Sequence, residues 1–385
     1  MLRITNSIKK YLLLVMLVLL PTYSQAKPQV EPVQIKVEQL TNNLGVIWSM
    51  EFVSPTEILF TIRSGKLGIY DLSSNLVQWV EGLPEIHAHS QGGLLDVAKS
   101  PDYDQTGWLY FTYSKEDFDT SKTTLARAKL VNHQLKEWQE ILVTDSASHR
   151  NIHYGSRIAF DDQGHLFFSV GDRGLRAPAQ NNENHIGSII RLNLDGSVPD
   201  DNPFVGHSRF KPEIWSYGHR NPQGLVFDMQ RNVLWAIEHG PRGGDEINRI
   251  EKGKNYGWPV VSQGQEYGFD KAVGVKQKAG MVNPEYVYIP SIAPSDLLVY
   301  SGDEFSMWQG SLLTGALVLR HLNRVSLNQQ MLPAGEYRAL TDLNERIRSL
   351  AIDDKGRVYV GTDSGKILRL TQAEYSLRTH EKEKN

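Results

Sequence analysis

Short apolar runs with alternating faces, separated by Asp/Gly turns, recur along most of the chain. The clearest pair is Arg157-Ile-Ala-Phe-Asp-Asp-Gln-Gly-His-Leu-Phe-Phe-Ser-Val-Gly-Asp172 and Leu350-Ala-Ile-Asp-Asp-Lys-Gly-Arg-Val-Tyr-Val-Gly-Thr-Asp363. In each, a short apolar strand runs into a turn and a second strand follows, with Leu166, Phe168 and Val170, or Val358 and Val360, on one face. That period of two is the pattern of an antiparallel hairpin. Weaker copies begin near Ile47, Gly93 and Gly224, and a degraded one runs from Leu297. A single such unit cannot bury both of its faces, so repetition predicts a radial array. Six units of about 60 residues predict an all-β fold, a six-bladed β-propeller of four-stranded antiparallel blades. A pair of β-sandwiches is the competing arrangement. The Lys27–Val37 segment is expected to pair with the last blade, closing the ring and covering a sheet edge. Helical periodicity is scarce, and the Arg378–Asn385 tail is charged.

The first residues follow a different pattern. Arg3, Lys9 and Lys10 precede an apolar run from Tyr11 to Leu20, then Pro21 and the small-residue stretch Ser24-Gln25-Ala26. The run is about ten residues, short of the roughly 20 needed to span a bilayer. A charged start, a short apolar middle and small residues before a cleavage point predict a signal peptide of residues 1–26, exported by the Sec route and cut after Ala26. Residues 27–385 then form one propeller domain, periplasmic or secreted, with no stable membrane insertion.

Composition narrows the chemistry. The chain has 385 residues and no cysteine, which removes disulfides, thiolate metal sites and thiol nucleophiles. Its 41 Lys+Arg against 44 Asp+Glu exclude a nucleic-acid binder driven by bulk positive charge. Cleavage after Ala26 leaves 38 basic residues against 44 acidic ones, a net charge of −6. The useful positive charge must then lie at particular arginines.

Candidate chemistry sits between the strands. His153 precedes the third hairpin and Asp172 ends it, so a blade returns both to one end of the ring; a carboxylate beside a histidine orients a general base. Arg220 and Asn221 lie in Trp215-Ser-Tyr-Gly-His-Arg-Asn-Pro-Gln-Gly224, suited to holding a carboxylate and donating to a carbonyl. Arg346 and Arg348 stand two apart on a strand and point to an anionic ligand. The loop Glu238-His-Gly-Pro-Arg-Gly-Gly-Asp-Glu246 offers carboxylates and glycine-rich carbonyls of the kind hard cations prefer. It lacks EF-hand spacing, and His207, His219 and His239 do not form a zinc spacing.

In sequence, Gly93-Leu-Leu-Asp-Val-Ala-Lys-Ser-Pro-Asp-Tyr103, His153 to Arg157, Gly171-Asp-Arg-Gly174, Gly218-His-Arg-Asn-Pro-Gln-Gly224, His239-Gly-Pro-Arg-Gly-Gly-Asp-Glu246 and Asn255-Tyr-Gly-Trp-Pro259 resemble the soluble glucose/sorbosone dehydrogenases. That family consists of exported six-bladed propellers that use pyrroloquinoline quinone (PQQ), and the aldose sugar dehydrogenase branch is the most similar. The resemblance implies His153 as catalytic base and Asp172 as its orienting carboxylate. It implies PQQ contacts from Gln91, Arg220, Asn221, Arg346 and Arg348. The carbonyls of Gly240 and Pro241 would hold the Ca²⁺ that sits on the cofactor, with Glu246 and the Tyr256 carbonyl on a second, structural Ca²⁺. The implied reaction oxidises aldose sugars to lactones and passes electrons to a quinone or other acceptor. One phrase departs from the family: a Ser-Leu-Lys that contacts the cofactor reads Ala316-Leu-Val-Leu-Arg320 here, leaving Arg320 as the nearby cation. A calcium-dependent propeller lactonase and a non-enzymatic carbohydrate-binding propeller are the other readings of such a scaffold.

Overall fold

The computed structural model describes residues 27–373, so the predicted signal peptide and the charged tail lie outside the described residues. Six sheets follow one another along the chain. Blade 1 comprises Ile47–Ser54, Glu57–Ile62, Lys66–Asp71 and Leu76–Val80; blade 2 comprises Leu94–Lys99, Trp108–Asp117, Thr120–Val131 and Gln134–Val143. Ile158–Phe160, His165–Val170, Ser188–Asn193 and Ile214–Tyr217 make blade 3; Pro222–Asp228, Val233–Glu238, Asp245–Ile250 and Tyr286–Tyr288 make blade 4. Blade 5 is built from Pro294–Val299, Leu312–Ala316, Leu322–Leu327 and Pro333–Ala339, and blade 6 begins with Ile347–Ile352, Val358–Thr362 and Ile367–Gln372. The first strands of the six blades touch in cyclic order, which makes them the inner wall of a six-bladed propeller.

The ring closes with a strand from the chain's start: Ile35–Gln39 pairs antiparallel with Ile367–Gln372 as the outer strand of blade 6. The expected closing segment divides in two, because Gln29–Val30 pairs in parallel with Tyr337 and Arg338 and gives blade 5 a fifth strand. Both pairings cover backbone that would otherwise present an open edge. Apolar faces of neighbouring blades meet in separate clusters, such as Leu59, Leu94, Phe111 and Leu135 between blades 1 and 2. Among the described residues the one α-helix is the single turn Tyr103–Thr106.

The inner strands approach closely where the chain allows it. Gly93 has φ 153°, and a Cβ there would fall 1.7 Å from the Arg63 carbonyl oxygen. Blade 2 therefore starts against blade 1 only because residue 93 has no side chain.

Candidate functional site

One end of the ring collects the starts of the inner strands and the ends of the second strands. Those two sets of positions line a cavity of about 150 Å³. Trp48, Leu95, Asn221, Gln223, Ala293, Arg346 and Arg348 come from the starts of inner strands, and Arg63 and Leu317 from just beyond second strands. Among the described residues lining it there are three arginines and no carboxylate. Such a space favours an anion.

Beside it lies the predicted pair. His153 Nδ1 is 2.6 Å from Asp172 Oδ1. The other carboxylate oxygen accepts the Trp258 indole N–H at 2.7 Å, and Oδ1 also accepts the Gly174 amide. Asp172 is fully buried, so these bonds replace the water a carboxylate needs. Burial tends to raise its carboxyl, but the His153 bond and the nearby Arg220 charge hold it below the usual range. Burial is also the largest influence on His153, pulling the imidazole below its ordinary value against the upward effect of Asp172. The balance favours the uncharged imidazole, with Nδ1 engaged by Asp172 and Nε2 without a partner among the described residues.

His153 is held in an uncommon backbone state, φ 53°. Its N–H donates to Gln91 Oε1 at 2.8 Å, and its carbonyl accepts the Arg173 amide. Gly171 packs so closely under it that a Cβ would lie 2.1 Å from the His153 carbonyl oxygen. Arg173, wholly buried, ties the preceding loop, through the carbonyls of Ser146, Arg150 and Ile152, to the Ser121 carbonyl of blade 2 and lies 3.4 Å from the Tyr154 ring centroid.

The predicted cofactor residues converge with one exception. Gln91, Asn221, Arg346 and Arg348 line the cavity. Asn221 Oδ1 accepts the Gly155 amide, which leaves its amide nitrogen without a partner among the described residues. Arg220 stands next to the cavity, its guanidinium 5.3 Å from the Trp258 ring and donating to the His239 carbonyl, its amide on Glu238 Oε2. Arg346 and Arg348 share Asp363, with Nε–O distances of 2.7 and 2.8 Å, so one carboxylate behind the wall sets two guanidinium planes. Arg320 is not brought to the cavity: it is exposed on a turn and donates to Asn344 Oδ1.

Several contributors were not legible as such. Arg63 lines the cavity and its side chain has no partner among the described residues. His239 lines it too, with Nε2 2.7 Å from the Pro294 carbonyl oxygen and an imidazole that burial pushes down to about 3. Trp258 lay in a recognised phrase without a role. Asp363 was signalled by the repeat itself, since it ends the blade 6 hairpin as Asp172 ends that of blade 3.

The cation loop lies nearby. Asp245 is consumed by structure, accepting from Gly240 N, Ser291 Oγ, Ile292 N and Ala293 N. The bonds hold the turn bearing Gly240 and Pro241, whose carbonyls accept no hydrogen bond among the described residues. Glu246 sits opposite Glu238 across the two strands. Burial and the Glu238 charge push its carboxyl well above the usual range, and Asn248 Oδ1 is buried with no partner. A void of about 10 Å³ touches Glu238, Gly240, Glu246 and Tyr256, and the Tyr256 hydroxyl points elsewhere, donating to the Arg249 carbonyl. Two crowded carboxylates, an orphaned amide oxygen and free carbonyls suit an oxygen-seeking cation. Among the described residues no group of three or more His, Cys, Asp or Glu gathers as a metal cluster, so any such cation would depend on carbonyl oxygens.

This geometry has relatives. The family model described as Glucose / Sorbosone dehydrogenase matches residues 44–369. Aldose sugar dehydrogenase YliI of Escherichia coli is 36% identical over 348 residues, covering 88% of this chain and 94% of that protein. Quinoprotein glucose dehydrogenase B of Acinetobacter calcoaceticus is 26% identical, covering 89% of this chain and 87% of its own. The crystal structure of the soluble aldose sugar dehydrogenase from E. coli in the apo-form superposes with a TM-score of 0.85 at 35% identity, covering 88% of this chain and all of that one. With the match spanning every blade, the chain belongs to the glucose/sorbosone dehydrogenase family.

Proposed function

We propose that the protein is an exported, PQQ-dependent aldose sugar dehydrogenase that oxidises the anomeric hydroxyl to a lactone and passes electrons to an external quinone-type acceptor. The observation that carries this reading is the His153–Asp172 pair beside a carboxylate-free cavity walled by Arg63, Arg346 and Arg348. PQQ bears three carboxylates, which these guanidiniums, with Gln91 and the Asn221 amide, are suited to hold. Bound there, PQQ would supply the hydride acceptor, and the Gly240 and Pro241 carbonyls would hold a Ca²⁺ that supplies a Lewis acid. His153 Nε2 takes the hydroxyl proton as the C–H hydride leaves and the carbonyl forms. Asp172 stabilises the resulting imidazolium, and Trp258 and Gly174 keep the carboxylate fixed while it does so. Arg220 places positive charge beside the reacting centre. Glu246 and the Tyr256 carbonyl would hold a second Ca²⁺. Residues 1–26 direct export; among the described residues no helix is long and apolar enough to cross a membrane.

The test is His153→Ala. Turnover should fall by about 10²- to 10⁴-fold, while PQQ binding stays within a few-fold of wild type, because His153 is absent from the cavity wall. Unchanged turnover removes His153 from the role of base.

A further inference from the structure

Beneath the cavity a single side chain meets every blade. Arg157 immediately precedes the inner strand of blade 3 and is 3% exposed. Its Nε donates to the Gln223 carbonyl at 2.9 Å in blade 4. One terminal nitrogen reaches Asp96 Oδ1 of blade 2 at 3.0 Å and lies 3.5 Å from Asp296 Oδ2 of blade 5. The other donates to the carbonyls of Trp48 in blade 1 and Arg348 in blade 6, both at 3.1 Å. A planar group with five N–H donors is the one side chain able to satisfy so many acceptors at once. The two carboxylates are braced in turn, Asp96 by the Ile158 amide and Asp296 by the Leu350 amide.

Three of these partners, Trp48, Gln223 and Arg348, line the cavity. The contact with Trp48 is double, because the guanidinium carbon also lies 4.1 Å from the indole centroid. Trp48 packs with Leu95 and Tyr154 in one buried apolar cluster, and all three residues face the cavity. They give it an apolar, largely aromatic floor beneath walls of arginine and amide. Such a floor suits the face of a flat, conjugated molecule whose edges carry charge.

We propose that Arg157 is a positioning residue for the cofactor: it sets the Trp48 floor and the Gln223 and Arg348 walls on which a planar polyanion rests. The inference rests on the PQQ reading and assigns Arg157 no part in proton transfer, since it touches neither His153 nor Asp172. Ring closure alone does not demand this arrangement, because adjacent blades already seal through their own apolar clusters.

The test compares Arg157→Lys with Arg324→Met, which breaks another buried pair, Arg324 to Glu31, remote from the cavity. Each apo-protein is melted, then titrated with PQQ in the presence of Ca²⁺ below both melting temperatures, following tryptophan fluorescence. Arg157→Lys should weaken PQQ binding at least tenfold while leaving the sugar KM of the saturated enzyme within about twofold. Arg324→Met should lose thermal stability yet keep its PQQ affinity. If Arg157→Lys does not fold, Trp48→Leu replaces it, since the carbonyl at position 48 survives and only the floor is lost; the same tenfold weakening is expected. A wild-type affinity in the folded variant overturns the proposal, as does a loss that merely tracks melting temperature in both arginine variants. A wild-type protein that takes up no PQQ overturns the functional reading as well, which separates the two failures.

Discussion

Burial disfavours the charged form of His153, His239 and His321, and the first and last of these show different ends. At His153 the buried imidazole is tied to Asp172 and is the base of the proposed reaction. At His321, 1% exposed in blade 5, it is tied only to the Leu319 carbonyl and the Asn323 amide and serves packing. Burial pushes the His321 imidazole down to about 4, whereas the unfolded chain titrates near 6.5. Between those values the unfolded state binds the extra proton, so this group's contribution is intact above pH 6.5 and is lost as pH falls toward 4. From pH 7 to pH 4.5 the loss is about 2–3 kcal/mol. Urea unfolding of wild type and His321→Asn at both pH values measures it: the variant should lose less stability on acidification, and an identical loss rejects the assignment. Residues of this kind show the limit of reading a sequence. His153 and Asp172 were legible because one hairpin joins them. Arg63, His239 and Trp258 enter the site from other blades, and no local spacing records which turns will meet. Arg320 was the converse case: near the cavity in sequence, it is carried outward by the turn on which it sits.

The hairpins were the most legible elements, since alternating apolar residues need no distant partner to declare a strand. Closure was less so. Whether residues 29–39 form one strand or two depends on edges hundreds of residues away, at Tyr337 and Leu370. The long connection between the third and fourth strands of blade 4, residues 251–285, reads as loop because Gly and Pro interrupt it. It nonetheless follows the outer strand of blade 3, pairing Asn255 with Tyr217, and is pinned by the bidentate Arg176–Glu266 pair. It brings in Trp258, whose amide donates to the Gly218 carbonyl and whose indole N–H donates to Asp172. Trp258→Phe keeps the ring and removes the donor, leaving a buried carboxylate oxygen short of a partner. Its kcat should fall by about tenfold, with melting temperature lowered by about a few degrees for the lost buried bond. An unchanged kcat would mean that the arm does not hold Asp172 in its working position.

At the scale of the molecule, the absence of cysteine means that stability comes from ring closure, blade-to-blade apolar packing and polar ties at the axis. The chain has slightly more acidic than basic residues overall, yet places Arg63, Arg346 and Arg348 on the cavity surface, with the Asp363 carboxylate shared by the last two as their one acidic partner. That contrast favours uptake of a polyanion at one end of a ring that carries no net positive charge. The proposed role of this end of the ring is to hold PQQ and oxidise sugars. Its most direct measurement adds PQQ and Ca²⁺ to the purified, folded apo-protein and follows reduction of an artificial electron dye with several aldoses, identifying the product. Dye reduction should require PQQ and Ca²⁺, stop on chelation and yield the lactone of at least one sugar; a folded protein that reduces no dye with any aldose under those conditions would contradict this role.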